Sequence, residues 1–113
     1  MLTIQKKQTD SGVVVLEVAG TLGLGRECQQ VEWQLEDLLR DKEIKVVFDF
    51  TGLEKIDSTG VGIVVMCHGK LKNAGGELRL AGVKGMVDTV LKMTSVDKII
   101  PFYPTAAAAV EGM

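Results

Sequence analysis

The period of hydrophobic and polar positions changes several times along the chain, and each change marks an element. Leu2-Thr3-Ile4-Gln5-Lys6 alternates and predicts a strand. A turn signal, Asp10-Ser11-Gly12, follows. Val13-Val14-Val15-Leu16-Glu17-Val18 is rich in β-branched residues and predicts a more buried strand, the hairpin partner of the first. Gly20-Thr21-Leu22-Gly23-Leu24-Gly25 reads as a flexible connector. From about Gly25 to Arg40 the apolar residues Leu24, Cys28, Val31, Leu35 and Leu38 recur at alternating steps of four and three, one stripe of an amphipathic helix. Trp33 falls on the opposite side, either beneath another segment or as an anchor for a partner. Val46-Val47-Phe48-Asp49-Phe50 is nearly continuous in apolar residues, as in a central strand covered on both faces. Leu53 and Ile56 are expected to be tucked residues that fix the following loop. A helix from about Ser58 to Asn73 is stopped by Ala74-Gly75-Gly76. Leu78 to Ala81 is a short strand. Lys84 to Met93 is a helix with Met86, Val87, Val90 and Leu91 inward, and Ile99-Ile100 is a last strand ended by Pro101. Thr105 to Val110, rich in alanine, is a short helix.

The order β-β-α-β-α-β-α-β-α predicts one α/β domain over residues 1–113: a mostly parallel, mixed sheet of about five strands with about four helices packed on it. Composition adds little to this picture but removes some functions. Of 113 residues, 46% are hydrophobic and 25% charged, enough for one core without disulfides. The net charge of −2 argues against a sequence-independent grip on nucleic acid or an anionic membrane. No apolar run approaches the ~20 residues that span a bilayer. No export leader precedes the first strand, and Cys28 and Cys67, far apart in helical patterns, read as reduced packing residues of a cytoplasmic protein.

Enzyme chemistry finds little support. His68 is the only histidine, and its neighbour Cys67 cannot share its helix face, so a packing or surface role outweighs a metal ligand. Ser58 and His68 are ten residues apart on one helix, about 15 Å along its axis, too far for a nucleophile and base. The glycines of residues 20–25 are spaced G-x-x-G-x-G, without the dinucleotide fingerprint or a Walker lysine. Asp49 stands where a receiver domain keeps its phosphoacceptor, but no acidic pair follows the earlier strands.

Asp57-Ser58-Thr59-Gly60-Val61-Gly62 remains. Asp and Ser are good N-caps, and capping explains one of them. Two glycines in the first turn cost about 1 kcal/mol each relative to alanine, so they are expected to bare the backbone for close approach by another surface. A hydroxyl beside the amides of a helix N-terminus can carry a phosphate. The downstream residues Val61, Ile63, Val64, Val65, Met66, Cys67 and Leu71 are apolar over more than one side. Part of that surface is either covered by neighbouring helices or forms a partner patch.

This motif resembles the D-S-[ST]-G-[LV]-G sequence of the STAS domain, in particular that of bacterial anti-sigma factor antagonists. The resemblance extends to the strand Val46–Phe50, to Gly75-Gly76-Glu77-Leu78 and to the stretch Leu91–Ile100. It implies a STAS-like fold and a non-enzymatic binding module without cofactor or metal. It further implies that an anti-sigma factor that is also a serine kinase phosphorylates Ser58 and that a phosphatase reverses this. Only the unmodified form would bind the anti-sigma factor and free a sigma factor. Asp57, Ser58, Thr59, Gly60, Val61 and Gly62 would shape the recognition surface, with Gly23 and Gly25 nearby. Family members often carry G-E-L-D after the second strand. Here the run is Gly20-Thr21-Leu22-Gly23, and the alternative it leaves is a phosphorylation-independent STAS scaffold in a larger signalling complex.

Overall fold

The computed structural model describes residues 1–23 and 25–113. Two strands, β1 (Leu2–Gln8) and β2 (Val14–Leu22), form the opening hairpin, and α1 (Arg26–Arg40) follows. Next come β3 (Lys45–Asp49), β4 (Leu53–Ile56), α2 (Ser58–Asn73), β5 (Glu77–Ala81) and α3 (Gly85–Met93). A 3-10 turn (Val96–Lys98), β6 (Phe102–Tyr103) and α4 (Ala106–Val110) complete the domain.

The sheet runs β1-β2-β3-β5-β6, with β1 antiparallel to β2 and the other neighbours parallel. The alternation of strand side chains separates two cores. Val14, Leu16, Val18, Val46, Phe48, Leu78 and Leu80 point to the face covered by α1, α2 and α3, where they meet Leu35, Leu38, Val64, Leu71 and Leu91. Val13, Val15, Val47 and Ala81 point to the other face, closed by Ala109 of α4 with Tyr103 and Val110. The near-continuous apolar run of β3 therefore reflects burial on both faces, as expected of it. Arg79 also lies on the α4 side, where its guanidinium donates to the Ala109 and Glu111 carbonyls, each at 3.1 Å, and stacks 5.1 Å from the Tyr103 ring centroid.

Four expectations need correction. The connector after Val18 is not free: β2 continues through Leu22, and its last residues pair with β4, a sixth strand where a loop was expected. The tucked residues Leu53 and Ile56 are indeed buried, and both belong to this strand. The final strand is Phe102–Tyr103, not Ile99–Ile100. The amides of Ile99 and Ile100 both donate to the Val96 carbonyl in the 3-10 turn, so they cannot join a ladder. Met86, expected inward, is 46% exposed, because it lies in the first turn of α3, ahead of the buried Val87 and Leu91. Trp33 is 62% exposed, so no described segment of the chain covers it. Leu24, the first position of the α1 stripe, lies outside the described residues, and the stripe continues through the buried Cys28, Val31, Leu35 and Leu38.

Phe48→Ala removes a fully buried ring between β2 and β5 and should lower the unfolding free energy by about 3–5 kcal/mol. Trp33→Ala, at an exposed position, should change it by no more than about 0.5 kcal/mol. Urea denaturation followed by far-ultraviolet circular dichroism compares the two.

Candidate functional site

The end of β2 and the start of α2 are locked together. Asp57 has extended backbone geometry and caps α2, its side chain accepting from the Gly60 amide at 2.9 Å. Its own amide donates to the Leu22 carbonyl at 3.2 Å, and its carbonyl accepts the first intrahelical bond, from Val61, at 2.9 Å. Ser58 and Thr59 are exposed, and their amides lie ahead of that first helical bond, at the positive end of the helix.

The two glycines do different things. Gly60 is buried, and a Cβ there would lie 2.4 Å from the Leu22 carbonyl oxygen and 2.8 Å from Ile56 Cγ1. It is glycine so that α2 can approach its own sheet, not so that a partner can approach the helix. Gly62 is exposed and faces open space, so it alone presents bare helix backbone outward. Val61 is buried, 8% exposed, and belongs to the core with Val64, Cys67 and Leu71. Val65 is partly exposed one turn beyond Gly62.

Gly23, named above only as nearby, lies directly against the site. It is buried, and a Cβ on it would fall 2.7 Å from Asp57 Oδ2. Gly25 stands at the N-cap of α1 with φ of 91°, a backbone geometry that glycine adopts without strain, and it is exposed with open space around it. Two residues escaped the sequence reading. Leu22 supplies the carbonyl on which α2 rests. Cys28 was read as packing, and it is buried, but its thiol also donates to the Gly23 carbonyl at 2.8 Å. Burial pushes the Cys28 thiol pKa up, with the Asp57, Glu27 and Glu32 carboxylates adding to the shift. Cys67 is buried more deeply, and desolvation pushes it up to about 12. Neither is a ready thiolate nucleophile at neutral pH.

A cleft of about 620 Å³ bordered by Thr51, Lys84 and Met86 contains none of residues 57–62. Among the described residues, no group of three His, Cys, Asp or Glu side chains is placed to hold a metal ion. Among them too, no helix is long and apolar enough to cross a membrane. His68 is partly buried, with its Nδ1 enclosed.

A family model of the STAS domain matches residues 4–109, and so covers both the sheet and this surface. The chain belongs to the STAS domain family. Its fold is similar to the crystal structure of a candidate anti-sigma factor antagonist from Thermotoga maritima. The two are 26% identical, with a TM-score of 0.88 over 96% of this chain and 92% of that one. An anti-sigma F factor antagonist from Paenibacillus polymyxa is 25% identical over 93 residues, 81% of this chain and 79% of that protein. The anti-sigma factor antagonist SpoIIAA in its unphosphorylated form shares the fold, with a TM-score of 0.73 at 20% identity, over 98% of this chain and all of that one. As a STAS domain the protein is a mixed α/β unit with the motif 57–62 at the start of α2.

The division of labour between the glycines gives opposite mutational signs. Gly60→Ala forces backbone apart and should destabilise the domain by about 1–3 kcal/mol. Gly62→Ala should stabilise it by up to about 1 kcal/mol through helix propensity. Thermal unfolding of the two variants beside the wild type reads both signs.

Proposed function

We propose that this STAS domain is an anti-sigma factor antagonist: a binding module, not an enzyme. It takes up a kinase-type anti-sigma factor while Ser58 is unmodified and so frees a sigma factor. The observation that carries the reading is the placement of Ser58. Ser58 is exposed in the first turn of a helix whose geometry the Asp57 cap and the Gly60–Leu22 contact already fix. A kinase can therefore reach the hydroxyl without unfolding anything. The named functions of the Thermotoga and Paenibacillus relatives point the same way.

In the transfer, the Ser58 Oγ–P bond forms as the γ-phosphoryl bond to ADP breaks, and the hydroxyl proton passes to a base of the kinase. The new group carries close to two negative charges. Its own helix tolerates them, because the start of α2 is positive and the Ser58 and Thr59 amides are at hand. A partner packed over Ser58, Thr59 and Gly62 does not tolerate them, since an uncompensated charge buried in an interface costs about 2–5 kcal/mol. Asp57 orients the turn, Gly62 admits close approach, and Gly23 and Gly25 border the surface. A phosphatase acting on phosphorylated Ser58 resets the switch, and the whole cycle runs in the cytoplasm without cofactor.

One feature favours a second reading. After the second strand the chain carries Gly20-Thr21-Leu22-Gly23, with no acid at Thr21 or Gly23, where family members often have G-E-L-D. On that reading the domain is a phosphorylation-independent scaffold in a larger signalling complex.

Incubation with the partner kinase and ATP, followed by intact-mass and fragment analysis, should place one phosphate on Ser58. Ser58→Asp should weaken binding of that kinase by about 30-fold or more, and Ser58→Ala should leave binding near the wild-type level. No phosphate on any hydroxyl, with binding indifferent to Ser58→Asp, selects the scaffold.

A further inference from the structure

Gly23, just after β2, is tied down at its carbonyl and bare at its Cα. The Cys28 thiol, in the first turn of α1, donates to the Gly23 carbonyl at 2.8 Å. Gly23 itself has no side chain, and the Asp57 carboxylate fills the space a Cβ would take, with Oδ2 at 2.7 Å and Cγ at 3.1 Å. The Asp57 carboxylate in turn holds the Gly60 amide at 2.9 Å, and Asp57 precedes Ser58 directly. A chain of contacts thus runs from α1 through Gly23 to the residue that sets the first turn of α2.

We infer that Cys28 and Gly23 are positioning residues for the Ser58 surface. The thiol–carbonyl bond fixes the position of Gly23, and the missing side chain there leaves room for Asp57 to reach the Gly60 amide. The orientation of the cap, and with it the presentation of the Ser58 hydroxyl, is set by α1 and Gly23 as well as by α2. The geometry of the coupling stands by itself; its consequence for phosphorylation rests on the function proposed above.

The coupling has a chemical test. Cys28→Ala removes the donor while Cys28→Ser keeps one, since a hydroxyl also donates to a carbonyl. Gly23→Ala keeps the donor and fills the space, so the Asp57 carboxylate must turn away. Amide hydrogen exchange of Gly60, followed by nuclear magnetic resonance on the full chain, reads the cap directly. Exchange should rise about fivefold in Cys28→Ala and in Gly23→Ala, the equivalent of a lost N-cap, and should return close to wild type in Cys28→Ser. With a kinase and ATP that modify the wild type at Ser58, the rate of phosphorylation should fall in Cys28→Ala and Gly23→Ala and recover in Cys28→Ser. Unchanged Gly60 exchange in Cys28→Ala overturns the inference. Equal changes in Cys28→Ala and Cys28→Ser overturn it too, because the thiol then acts through its volume alone. Should Gly23→Ala fail to fold, the two Cys28 variants decide. If the wild type takes no phosphate, the proposed function falls, and Gly60 exchange still decides the coupling.

Discussion

The first turn of α2 rests on the end of β2, and it can do so only because residue 60 has no side chain. Any Cβ there would meet the Leu22 carbonyl at 2.4 Å, inside the distance real atoms keep. That single close approach lets the Asp57 amide reach the same carbonyl and places the Asp57 carboxylate over the Gly60 amide. It also lets Val61, Val64, Cys67 and Leu71 enter the core in one line. Without it α2 would stand away from the sheet, and the hydroxyl of Ser58 would be carried on a loose turn instead of a fixed one.

A surface built this way suits a switch that works by charge. The core beneath it is closed, with Val64, Cys67 and Leu71 fully buried, so a modification at the exposed rim has little to disturb inside. The helix N-terminus offsets part of the repulsion between a phosphate and the Asp57 carboxylate. On the proposed function, what changes is the surface offered to a partner, where the cost of desolvating two charges would outweigh the favourable packing around them. Such a switch acts on binding free energy and leaves the folding free energy nearly untouched.

Much of this was legible in the sequence for physical reasons. The stripe Cys28-Val31-Leu35-Leu38 has helical period because one side of α1 is buried, and the Val46–Phe50 run is apolar because both faces of β3 are covered. β4 was not legible. Its buried residues Leu53 and Ile56 are three apart, and a register shift against Gly20 and Thr21 hides the strand period. Ile99-Ile100 has strand composition, yet the 3-10 turn takes its amides, so tertiary context overrides propensity. In the motif, residue type offered Asp57 and Ser58 alike as the cap, and the structure gives the role to Asp57. Gly60 and Gly62 looked equivalent, since a sequence does not say which glycine faces the sheet. The Cys28–Gly23–Asp57 contact joins residues up to 34 positions apart (23 to 57), which no local pattern encodes.

The central claim is that charge at Ser58 alters the surface and spares the fold. The direct measurement compares amide chemical shifts and thermal unfolding of the unmodified chain with those of the chain carrying phosphoserine at position 58. Shift changes confined to the turn around Leu22–Gly23 and to residues 57–62, with a melting temperature changed by no more than a few degrees, are the predicted result. Shift changes spread through β3, β5 and the α4 face, or a large drop in melting temperature, would contradict the account.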